Sequence, residues 1–171
     1  MSRRLSRETA LQVMFQVDMA KAEPEAAISY TFEEFAVPEL SQEFTRRLVF
    51  GTLAYLAQID QTIQAVAKEW NIERMANVDR NILRLAVYEL RHCPDIPANV
   101  AVNEAIELAK SYSGEEAGRF VNGILGVLVT GQNDQGKAPE DGALTPMEDI
   151  SPVAKTEEAD IRPLAKGDQP Q

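Results

Sequence analysis

The chain has 171 residues, 44% of them hydrophobic, with 27 Asp or Glu against 17 Lys or Arg for a formal charge of −10. That suffices for one domain with a substantial core. No apolar run approaches the roughly 18 residues of a membrane span, and the N-terminus lacks the apolar stretch of a secretory signal, so a cytoplasmic location away from membranes is expected. Cys93 is the single cysteine and His92 the single histidine, which excludes an internal disulfide and leaves a His/Cys metal site short of ligands. No metal or cofactor is expected.

Three arginines, Arg3, Arg4 and Arg7, fall within five positions at the start of the first element. Cations at a helix start oppose the macrodipole by roughly 0.3–1 kcal/mol each when poorly screened, so something other than helix stability favours them. Arginine's planar fork suits phosphate contact and base stacking. Taken alone, the cluster reads equally as a solubilising, frayed N-terminus.

Residues 5 to 21 carry Leu5, Thr9, Val13 and Gln16 on one side, with Ala10, Leu11, Met14 and Phe15 as an apolar flank, before Pro24. This spacing predicts an amphipathic helix that the proline stops. A short second helix follows from Ile28, Phe32 and Phe35, ending before Pro38. Ser41 offers an N-cap, and Phe44, Leu48, Tyr55, Ile59, Ile63, Val66 and Trp70 recur at helical intervals. The pattern predicts one long helix of about thirty residues.

Asn77 can cap a further helix through VDRNILRLAVYEL, with Ile82, Leu85, Ala86 and Leu90 as its buried stripe. Pro94 and Pro97 interrupt, and NVAVNEAIELAKSY resumes the period through Val102, Ala105, Ile106, Ala109 and Tyr112. Ser113 and Glu116 stand in capping-box relation before a last helix whose Val121, Ile124, Leu125 and Leu128 face inward. Gly123 and Gly126 cost that helix about 1 kcal/mol each relative to Ala, which points to close backbone approach. The sum is an all-α bundle of six helices or so.

From Thr130 the composition changes. Residues 131 to 171 hold five of the nine prolines and nine acidic against four basic residues, a net of −5 that leaves only −5 for residues 1 to 130. Residues 1 to 130 are therefore read as the helical domain, and 131 to 171 as an acidic, disordered tail.

Catalytic material is poor. There is no glycine-rich phosphate loop, dinucleotide signature, HExxH or serine elbow, and the adjacent pairs Glu33/Glu34 and Glu115/Glu116 read as solvated faces. An enzyme is not expected. Phe120, beside Arg119 and one position off the inward stripe, reads as a base-stacking platform or as a partly buried core ring. Asn122 could meet a base edge or bond locally, and Asn103 reads as a satisfied buried amide.

RRLSRETALQVMFQ, DRNILRLAVYEL and VAVNEAIELAKSYSGEEAGRFVNGIL, with the long helix ending near Trp70, together resemble the family of bacterial transcription antitermination factors NusB over about residues 3 to 128. The resemblance implies two three-helix subbundles and binding of boxA RNA from ribosomal RNA operon leaders together with NusE, a small-subunit ribosomal protein. NusA, NusG and RNA polymerase complete the implied assembly, and a homodimer is implied as possible for the free protein. It places Arg3, Arg4 and Arg7 on RNA, with Asp79 and Glu116 accepting from base amino groups and Phe120 stacking. Leu5 interrupts the basic segment, and Phe15 stands where a tyrosine is common, which predicts weaker RNA binding by the isolated protein and greater dependence on the partner. Two other readings are a stand-alone relative of the NusB-like domain fused to ribosomal RNA cytosine methyltransferases, and a helical adaptor that never touches RNA.

Overall fold

The computed structural model describes residues 3–133; residues 134–171, nearly all of the acidic stretch expected to form a tail, lie outside the described residues. Seven helices follow one another: α1 (Arg3–Ala20), α2 (Pro24–Glu34), α3 (Glu39–Ala54), α4 (Leu56–Val66), α5 (Asn77–His92), α6 (Ala98–Ser113) and α7 (Glu115–Asn133), with a 3₁₀ turn at Ile72–Arg74. There is no strand among the described residues. α1–α3 pack as one three-helix group and α5–α7 as a second, with α4 against α5 and α7. α7 runs past Thr130, where the composition changes.

α5 is the hub, touched by α1, α3, α4, α6 and α7. Val78 and every residue from Arg80 to Glu89 are buried, so the expected four-residue stripe widens to the whole circumference, while Leu90 is only partly buried. A helix buried all round must also bury its polar positions, and these need partners. Arg80 donates to Asp18 at 2.6 Å, Arg84 to Asp60 at 2.8 Å, and Asn81 to both Asp18 (3.0 Å) and the Asn77 carbonyl (2.9 Å). Burial pushes the Asp18 carboxyl up, but the bonds from Arg80 and Asn81 outweigh it and hold the group below the usual carboxylate range. The network ties α1 and α4 to α5.

The long helix expected from Ser41 to Trp70 is two helices that break at Tyr55 (φ −108°, ψ 17°). The break lets Ile59 and Ile63 turn into the core while Asp60 reaches Arg84. The chain turns again at Ala67, where the Gln64 amide donates to the Ala67 and Trp70 carbonyls and accepts from the Ile72 N–H. Trp70 therefore lies beyond α4.

Three caps also differ from expectation. Pro38 precedes α3, and Ser41 is buried inside it, its carbonyl accepting from the Ser6 and Thr45 hydroxyls. Asn77 is the first helical residue of α5 and accepts from Arg80 instead of capping. Ser113 ends α6, where Gly114 (φ 97°) supplies the left-handed turn into α7, and its hydroxyl serves Asp79. Glu23, unforeseen, caps α2 by accepting from the Glu25 and Ala26 N–H groups.

A Cβ at Gly126 would meet nothing within 4 Å, so close approach does not explain that glycine. It does explain Gly51, where a Cβ would collide with the Tyr88 ring, and Gly118, against the Lys110 stem.

Candidate nucleic-acid interface

The three N-terminal arginines diverge: Arg4 stands about 100° round α1 from Arg3, whereas Arg7 shares the face of Arg3 one turn deeper, both guanidiniums lying over the Phe44 ring. Arg7 points inward with Leu11 and Met14, one and two turns on, and its guanidinium donates to Glu89 at 2.6, 3.0 and 3.1 Å. Both side chains are almost fully buried, at 4% and 3% exposure. Burial pushes the Glu89 carboxyl up despite the bonds from Arg7. This corrects the expectation that Arg7 contacts RNA: its guanidinium is committed to an internal partner.

Arg3 and Arg4 remain at the surface, 45% and 56% exposed. Arg3 lies 4.8 Å over the Phe44 ring and 3.6 Å from Asp95; Arg4 makes a two-pronged contact with Glu104, both bonds 3.1 Å. The Arg4 bond holds the Glu104 carboxyl below its ordinary range. Exposed pairs of this kind are weak and exchangeable, so a phosphate can displace either carboxylate.

Asp79, Glu116 and Phe120 gather around the α6–α7 turn. Asp79, in the first turn of α5, is partly buried and hydrogen-bonds Ser113, while its Oδ1 is buried with no partner. Burial outweighs the Ser113 bond and raises its carboxyl. Glu116 is exposed in the first turn of α7, and Phe120 follows one turn later, half-buried, its ring edge-on to Trp70 at 6.0 Å and 78°. Phe120 is packed at the core margin and remains partly accessible. Asn103 is exposed, not the buried amide expected, and Asn122 is partly buried with an unpartnered Oδ1.

The two sets are joined along α1 and α6. Arg4 of α1 pairs with Glu104 of α6. Between them lies a groove of about 390 Å³ lined by Arg4, Glu8, Glu104, Glu107, Leu108, Lys110, Ser111 and Glu115. From Glu104 to Ser113 the α6 rise is about 14 Å. Four carboxylates against two cations make this connecting surface acidic. Glu104, Lys110 and Trp70 escaped the sequence reading of the site; Glu104 and Lys110 line one groove although they stand about 120° apart around α6.

No described group of His, Cys, Asp or Glu could hold a metal ion, and no described helix is long and apolar enough to cross a membrane.

The described residues define an all-helical protein built of two three-helix groups. Residues 4–129 match the NusB family. The chain is 58% identical over 129 residues to transcription antitermination protein NusB of Pelotomaculum thermopropionicum, covering 75% of this chain and 90% of that one, and 51% identical to its counterpart in Desulforamulus reducens, covering 78% and 94%. The T. maritima NusB structure superposes with a TM-score of 0.71 at 36% identity (76% and 92% covered). A crystal structure of antitermination factors NusB and NusE in complex with dsRNA gives 0.70 at 29% identity (75% and 96%). The chain belongs to the NusB family, whose members are named as antitermination factors, a non-catalytic role.

Proposed function

We propose that the protein is a transcription antitermination factor that binds boxA RNA of ribosomal RNA operon leaders together with NusE, within an assembly of NusA, NusG and RNA polymerase in the cytoplasm. The observation that carries this reading is family membership across residues 4–129, combined with the likeness to a NusB bound to NusE and dsRNA. The protein works by positioning. Arg3 and Arg4 exchange Asp95 and Glu104 for phosphates, while Phe120, Asp79 and Glu116 meet unpaired bases at the far end of the α1–α6 groove. Carboxylates along that groove repel generic phosphate and so favour discrimination over raw affinity. Residues 1 to 130 constitute the RNA-binding domain in this reading.

The test is an anisotropy titration of boxA and scrambled RNA, with and without NusE, at two salt concentrations. Arg3→Ala with Arg4→Ala should weaken binding and reduce the slope of log affinity against log salt by about 1.4, at roughly 0.7 per lost phosphate contact on a single strand. Equal affinity for boxA and scrambled RNA, even with NusE present, would refute the reading.

A further inference from the structure

A second strip leads from Arg3 along α3 and α5, away from the α1–α6 groove. Asp95, which Arg3 approaches, is gripped by Arg47 at 2.6 and 3.0 Å. That hydrogen bond holds the Asp95 carboxyl at about 2. The Arg47 charge also acts on Tyr88, whose phenol burial nevertheless pushes up, and the Tyr88 ring occupies the space that Gly51 leaves by having no Cβ. Tyr88 then stacks on His92 (5.5 Å, 24°), and His92 on Tyr55, face to face at 3.9 Å and 13°. Tyr55 stands at the α3–α4 break, 40% exposed.

Beside His92 a cavity of about 250 Å³ opens between α4 and α5, lined by Gln58, Ile59, Thr62, Val87, Arg91 and His92. No carboxylate is among these residues. The Thr62 hydroxyl donates to the Gln58 carbonyl at 2.9 Å, leaving its lone pairs toward any donor that enters. Arg91 is exposed at the rim. Arg91 is the one formally charged residue of this lining, a net of +1 with His92 neutral, whereas the lining of the α1–α6 groove comes to −2.

We infer that the Tyr55–His92 stack and the adjoining α4–α5 cavity form a binding site for an unpaired nucleobase of single-stranded RNA, with Arg47 and Arg91 facing its phosphates. The inference rests on the RNA-binding reading above and deepens it. An aromatic stack exposed at one end accepts any base, because every base has a π-face, and Arg91 beside a cavity lining without carboxylates supplies a cation for the backbone. A protein partner of the usual kind would meet an apolar centre; this rim is Gln58, Thr62, Arg91 and His92. From Arg47 to Tyr55 the α3 rise is about 12 Å, a distance that a few nucleotides cover, so one strand can leave the N-terminal arginines and reach the stack.

The test uses the full chain and a fluorescein-labelled single-stranded RNA at low salt. Tyr55→Ala should lower affinity roughly 5- to 150-fold, the loss of one base stack worth about 1–3 kcal/mol, and Tyr55→Phe should restore it. Arg91→Ala should weaken binding and flatten its salt dependence. RNA carrying 4-thiouridine should cross-link to the wild-type protein within residues 55 to 62 or 91 to 92, a readout that survives any folding defect of the variants. Wild-type affinity in both Tyr55→Ala and Arg91→Ala, alongside loss in the Arg3/Arg4 double variant, would overturn the inference and leave the RNA-binding reading standing. So would a Tyr55→Ala defect in NusE capture with RNA affinity intact. No RNA binding by the wild type, with or without NusE, would overturn both.

Discussion

Replacing Arg7 with Ala separates a structural arginine from an RNA-binding one. The substitution removes three hydrogen bonds and leaves Glu89, 3% exposed, as an uncompensated buried carboxylate. Breaking a buried pair this way costs about 3–5 kcal/mol, whereas replacing both members by apolar residues of similar volume is often neutral. At about 3–5 °C per kcal/mol for a folded unit of this size, Arg7→Ala should lower Tm by about 10–20 °C, and Arg7→Met with Glu89→Leu should recover most of it. Burial already raises the Glu89 carboxyl, and losing Arg7 raises it further. A raised acid destabilises the fold only where it would otherwise ionise, so the deficit should be largest near neutral pH. It should narrow as pH falls into the ordinary glutamate range, where folded and unfolded states both hold the proton. Thermal melts followed by far-UV circular dichroism at several pH values measure this. An Arg7→Ala protein that melts within about 2 °C of wild type and loses RNA affinity as the Arg3 and Arg4 variants do would refute the assignment.

Gly51→Ala drives a methyl into the Tyr88 ring and should cost about 1–3 kcal/mol, seen as a lower urea midpoint at an unchanged slope. Asp79→Asn removes a carboxyl that burial raises, so the variant should gain stability over wild type as pH rises through and above the ordinary aspartate range, with the difference vanishing at lower pH; a variant less stable at neutral pH would contradict this. Asp95→Asn with Glu104→Gln releases Arg3 and Arg4 from their surface partners, and RNA affinity of the protein without NusE should rise, most of all at low salt. An unchanged affinity would mean these pairs do not compete with phosphate.

Helix existence was legible because α1, α2, α6 and α7 each bury one side against neighbours and carry the 3.6-residue period to match. α3 and α4 defeated it for a specific reason. Their apolar positions keep a helical interval across Tyr55, and the break comes from tertiary demands, the Tyr55–His92 stack and the Asp60–Arg84 pair, that no local propensity encodes. In α5 the stripe Ile82, Leu85, Ala86, Leu90 gave the helix but not its depth. That stripe says nothing of Arg80 and Arg84, whose partners Asp18 and Asp60 come from sixty-two and twenty-four residues away. Arg7 carried a readable signal: it shares a face with Leu11 and Met14, and that face is buried. Arg3 and Arg7, four apart, share a face and both lie over Phe44; what separates them is depth, because Arg7 sits one turn further into the bundle and meets Glu89 from eighty-two residues away.

That difference in depth bears on the proposed RNA binding by an acidic protein. Each exposed N-terminal arginine already has a carboxylate, Arg3 with Asp95 and Arg4 with Glu104, so phosphate must compete for a cation that is already neutralised. Such an edge gives little nonspecific attraction, and affinity must come from contacts that carboxylates cannot imitate: ring stacking, base-edge hydrogen bonds and a partner surface that adds its own charge. The ion pairs therefore give a physical basis to the dependence on NusE expected from the thin basic segment. They convert a general polyanion-binding patch into one that opens only for a ligand able to fill several subsites together.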